Sequence, residues 1–117
     1  MGAWDDRILG MDVVEDFLDE LNELEDEEEV LAAVKDACVL AQSADASEDE
    51  YTIGLAAATL AAIWAGAPFS AGQIADTYPV IRNLIGYGTE EISETALDVL
   101  ESAETEEDLD VFLEALS

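Results

Sequence analysis

Glu15, Asp16, Asp19, Glu20, Glu23, Glu25, Asp26, Glu27, Glu28 and Glu29 place ten carboxylates within fifteen residues. Carboxylates this dense can do four things. They can ligate a cation, exchange a proton, imitate a phosphate backbone or attract a basic surface. Cation binding needs a loop that brings oxygens to set positions. The nearest approach is Asp45-Ala46-Ser47-Glu48-Asp49-Glu50-Tyr51, with oxygen side chains at loop positions 1, 3 and 5. A calcium loop needs Gly at position 6 and Glu at position 12, where this chain has Glu50 and Ala56. A loop running into a capped helix explains these residues better. Acid–base work needs burial to raise one carboxyl pKa. Here the acids lie mainly opposite the apolar positions, where water solvates them. Phosphate mimicry is a matter of density. A helix over 15–29 would span about 22 Å, or about one charge per 2 Å, against about 1.7 Å for duplex DNA. The simpler reading of the same run is a solvated face with a helix break near Glu25.

Other catalytic chemistry lacks its residues. The chain has no histidine, which excludes serine–histidine and cysteine–histidine nucleophiles and histidine metal sites. Cys38 falls on an apolar stripe, as a core thiol does. Gly86-Tyr87-Gly88 is too short for a phosphate loop and reads as a helix terminator. No catalytic residue, cofactor or metal ligand is assigned, and an enzyme is not expected.

The overall charge narrows the partners. The 117 residues carry 30 acids and three bases, for a formal charge of −27. Such a chain repels nucleic-acid phosphates and anionic membrane surfaces, and attracts basic proteins. Its single cysteine forms no internal disulfide. MGAWDD has neither a basic nor an apolar leader region, and Asp6 breaks a myristoylation motif. The expected location is the cytoplasm.

The elements that must position the acids are helical. Val13, Val14, Phe17, Leu18, Leu21 and Leu24 form one apolar stripe, and Val30, Leu31, Val34, Ala37, Cys38 and Ala41 a second. Ile92, Ala96, Leu97, Leu100 and Ala103 repeat the spacing, as do Leu109, Phe112, Leu113 and Leu116. Asp12 with Glu15, Asp26 with Glu29, Ser47 with Glu50, and Ser70 with Gln73 have capping-box spacing. Thr89 and Thr105 are candidate N-caps. The predicted helices run over 12–24, 27–43, 48–65, 71–77, 80–86, 90–103 and 106–116, with Pro79 breaking the chain between the fourth and fifth. The expectation is one all-α domain over 1–117. It is a compact bundle of five to seven helices around a central apolar, Ala-rich helix at about 48–65.

The stretch 51–75 has no charged side chain. It is long enough for a bilayer, but Gly66, Pro68 and Gly72 interrupt it. The uninterrupted part, about 51–65, falls short of the roughly 20 apolar residues a span needs. Acids flank it on both sides and no Lys or Arg anchors it. A helix apolar all round belongs at the centre of a bundle.

Residues 66–89 carry only Asp76 and Arg82, which cancel. With Phe69, Tyr78 and Tyr87 they form a candidate self-association patch, because two copies of a −27 chain repel each other least where charge is lowest. In a two-fold dimer Arg82 of one chain would reach Asp76 of the other. The competing reading sends these aromatics into the monomer core.

Met1-Gly2-Ala3-Trp4, followed by Asp12 and Asp16-Phe17, resembles a family of small acidic bacterial proteins of unknown function that begin Met-Gly-Ala-Trp. The Ala-rich helix around 56–65 is similar too. The family often has a Gly-x-Gly turn after the tryptophan, where this chain has Asp5, Asp6 and Arg7. The resemblance implies a bacterial helical domain and carries no activity with it. From the residues alone, Trp4 and Ile8 read as a segment that folds back over the bundle.

The expected function is a non-enzymatic protein–protein interaction module, of the immunity-protein or regulatory-inhibitor type, with a basic partner. Its attractive face would be Glu15, Asp16, Asp19, Glu20 and Glu23. The alternatives are a nucleic-acid mimic and a generally acidic, salt-adapted protein with no partner on that face.

Overall fold

The structure, a computed structural model, describes residues 4–24, 26–67, 76–86, 90–103 and 109–116, with side chains from residue 7 onward. Within them lie seven helices and no strand: α1 Trp4–Leu9, α2 Asp12–Glu23, α3 Glu27–Ala41, α4 Glu48–Trp64, α5 Val80–Asn83, α6 Glu90–Glu101 and α7 Asp110–Leu116. The all-α bundle expected from the apolar spacing is the fold observed.

α4 is its axis. From Gly54 to Trp64 every residue is buried, and α1, α2, α3, α5, α6 and α7 all pack against it. A helix with no polar face needs neighbours on every side, and here it has them. Its one buried polar side chain, Thr59, donates to the Leu55 carbonyl at 2.8 Å, so its hydroxyl is satisfied without leaving the helix. Among the described residues no helix is long and apolar enough to cross a membrane. The buried residues form one contiguous core, and the radius of gyration is 12.5 Å.

The two ends of α4 are built differently. At its start the Ser47 hydroxyl accepts from the Glu50 N–H at 3.1 Å, and Glu50 Oε1 accepts from the Ser47 N–H at 3.0 Å. This is the predicted capping box, closed in both directions. At its end Ala67 N–H donates to the Ala62 carbonyl and Gly66 N–H to that of Ile63, both at 3.0 Å. Gly66 has φ +114°, so this is the glycine-dependent turn that ends many helices. The Trp64 indole N–H then donates to the Ile81 carbonyl at 2.9 Å, and Gly86 N–H to the Trp64 carbonyl at 2.8 Å. These two bonds stitch α5 and the turn after it to the end of α4.

Several boundaries differ from expectation for identifiable reasons. Asp12 does not cap α2; it is the first helical residue, and Met11 supplies the carbonyl that accepts from Val14 and Glu15. Asp26 sits at the N-cap of α3, but its side chain makes no capping bond. The helix expected over 80–86 closes at Asn83. Gly86, at φ +93°, then turns the chain so that its N–H meets Trp64. α1 was not foreseen as a helix, although Ile8 and Leu9 are buried and the segment does pack on α4. The caps expected at Ser70, Thr89 and Thr105, most of the helix at 71–77, and Met1-Gly2-Ala3 lie outside the described residues.

Candidate functional site

α2 is amphipathic. Val14, Phe17, Leu18 and Leu21 face the core, while Glu15, Asp16, Asp19, Glu20 and Glu23 are all exposed. Helical spacing puts Glu15, Asp19 and Glu23 in one row and Asp16 with Glu20 beside it. No Lys or Arg lies on α2. The five predicted residues are therefore one face, and a uniformly negative one. The longer acidic run does not continue as one rod. Leu24 and Asp26 are extended, with ψ 134° and 128°, so the acids of α2 and of the first turn of α3 belong to two helices.

The self-association patch is only partly within the described residues, since Phe69 and Tyr87 lie outside them. Arg82 Nη2 is 3.5 Å from Asp76 Oδ1 of the same chain, with both side chains more than half exposed. The pairing anticipated between two copies is thus available within one. Tyr78 is half-buried against the core. Its phenol is held above the ordinary value of 10.0, first by desolvation, then by a hydrogen bond to the Asp19 carboxylate and by the negative field of Asp19, Glu15 and Asp16. Tyr78 is charge-poor in sequence but sits beside the acidic face in space. A two-fold contact centred on it would bring two such faces together, which works against self-association there.

Next to the acidic face is a feature that sequence reasoning missed. α2, α3 and α4 enclose an open groove of about 330 Å³. Phe17, Ala33, Ala37, Leu40 and Ile53 make its apolar lining, and Glu20, Asp36 and Glu50 are its polar side chains. Ala33 and Ala37, one turn apart on α3, leave the space that larger residues would fill. Leu40 at the groove is 50% exposed and its neighbour Val39 51%. The signal was present in sequence: Leu40 lies off the inner stripe of α3, an apolar residue where a polar one was due.

Burial pushes the Cys38 thiol up to about 12, which keeps it protonated and unreactive at neutral pH. Among the described residues no group of His, Cys, Asp and Glu is arranged to hold a metal ion. Lys35 pairs with Glu91, and Gln42 donates to the Thr95 carbonyl at 3.3 Å, so these polar groups of α3 and its C-cap serve to fasten α6. No protein-family model, no curated protein and no solved structure matches the chain.

Proposed function

We propose that this protein is a non-enzymatic interaction module that binds a basic protein, in the manner of an immunity protein or regulatory inhibitor, in the cytoplasm of a bacterium. The observation that carries the reading is the α2 face: five exposed carboxylates on one helix with no cation among them. Like charges held this close on one surface raise the local negative potential, which steers a basic partner into contact. The extended backbone at Leu24 and at Asp26 favours a protein partner over phosphate mimicry, because the dense run is divided between two helices.

Neutralising the face tests this. One variant carries Glu15→Gln, Asp16→Asn, Asp19→Asn, Glu20→Gln and Glu23→Gln. A control removes the same charge elsewhere, through Asp45→Asn, Asp49→Asn, Glu94→Gln, Asp98→Asn and Glu101→Gln. Binding of lysozyme, a small basic protein, is measured by calorimetry at low salt. The α2 variant is expected to bind about tenfold more weakly than the control, a difference of about 1.4 kcal/mol. Equal weakening in both would mean that only the net charge matters, as in a generally acidic, salt-adapted protein.

A further inference from the structure

We infer that the groove between α2, α3 and α4 is a docking site for a basic amphipathic helix of a partner protein. The inference rests on the acidic-face reading and adds the chemical form of the partner. The lining has two parts. Its apolar part offers space above Ala33 and Ala37, with half-exposed Leu40 beside it. Among the described residues, every polar side chain around it is a carboxylate: Glu20, Asp36 or Glu50. An ionised carboxylate accepts hydrogen bonds and donates none. The occupant must therefore bring both the apolar groups and the donors, and the donors that match are Lys and Arg. An apolar stripe flanked by cations is what a basic amphipathic helix presents, and helices lie in such grooves through residues at i, i+3, i+4 and i+7.

Charge also decides against the other occupants. A second copy of this chain brings three cations against 30 acids. An anionic membrane surface or a nucleic acid would meet the acidic face with repulsion. The groove and the α2 face share Glu20, so a partner steered by the face arrives at the groove. The open groove between α6 and α7, lined by Leu97, Glu101, Asp110, Leu113 and Glu114, offers less apolar lining and does not adjoin α2.

The probes are three peptides of about 18 residues, or about five helical turns. One has Leu at helical period on a Lys background, one has the same composition in permuted order, and one is oligolysine. Binding is followed by fluorescence anisotropy at about 0.15 M salt, where the Debye length is about 8 Å. The periodic peptide is expected to bind about tenfold more tightly than the permuted one. Leu40→Ser, which removes an apolar wall, and Ala33→Phe, which fills the space, should each abolish that preference. Val39→Ser, equally exposed but outside the groove, should leave it intact. Circular dichroism checks that each variant is folded. Equal binding of the periodic and permuted peptides, or a preference that survives both groove variants, overturns the groove. If the five-residue α2 variant still weakens all three peptides in that case, the acidic-face reading stands without it. If none of the peptides binds and the α2 variant binds lysozyme as the control does, both fall.

Discussion

Gly54 is where a single atom decides how closely two helices approach. A Cβ there would meet the Ala41 Cβ well inside van der Waals distance and lie 3.1 Å from the Ala37 carbonyl oxygen. Neither obstacle is the far end of a flexible side chain. Gly54→Ala gains about 1 kcal/mol in helix propensity, but overpacking costs about 1–3 kcal/mol. Because α3 must move as a body, the packing cost falls toward its upper end and wins, and a net loss of up to about 2 kcal/mol is expected in urea melts. Adding Ala41→Gly should restore part of it; a Gly54→Ala protein as stable as wild type would show that the helices separate freely. Cys38 gives the second test at this scale. Its folded pKa of about 12 lies above the 9.0 of a free thiol. A raised acid pKa means the folded state keeps the proton and the unfolded state releases it. The thiol's contribution is therefore complete below pH 9 and declines as pH rises toward 12. Between those values wild-type stability should fall with pH more steeply than that of Cys38→Ala, by up to about 1.4 kcal/mol per pH unit. Parallel profiles would contradict this.

Among the helices, α4 depends on its ends more than its composition suggests. Its interior is apolar and its neighbours hold it, but the first turn carries Glu48, Asp49 and Glu50 near the surface. There the Ser47 box satisfies backbone N–H groups that packing does not reach. Ser47→Ala should lower stability by about 1 kcal/mol, while Ser47→Asp, which can still accept, should lose much less. Equal losses in both variants would mean that the hydroxyl is not the operative group. The same helix separates what was readable from what was not. Ser47 with Glu50 was legible because a capping box is local: its partners are three residues apart. Asp12 with Glu15 had the same spacing, yet Met11 took the cap position. Spacing alone cannot tell which of two adjacent residues leaves the helical conformation. α1 carries no helical signature in sequence because six residues are too few to show a period.

At the scale of the molecule, charge opposes folding. Glu15, Asp19 and Glu23 at i,i+4, and Asp16 with Glu20, are exposed like pairs, each destabilising by about 0.2–0.5 kcal/mol at low salt. Salt shortens the Debye length from about 10 Å at 0.1 M to about 3 Å at 1 M, which relieves this repulsion along with that of the remaining acids. The melting midpoint should rise with sodium chloride, and less steeply in the α2-neutralised variant. A midpoint that is unchanged or lower at high salt would refute this account.

The all-α class, the burial of α4 and the exposure of Glu15, Asp16, Asp19, Glu20 and Glu23 could be derived from sequence alone. The class and the exposed acids follow from the period of single segments and the preference of carboxylates for water, and the burial of α4 follows from its lack of a polar face. The groove, the place of Tyr78 beside Asp19 and the close approach at Gly54 were settled only by tertiary structure. The groove joins residues of three helices, from Phe17 to Ile53. Tyr78 meets an α2 carboxylate 59 positions earlier in the chain. Gly54 is small because of Ala41, in another helix. Side-chain period tells each helix which face to bury. It does not say which neighbour will cover that face, because apolar burial is non-directional and the choice rests on how the side chains of different helices interlock.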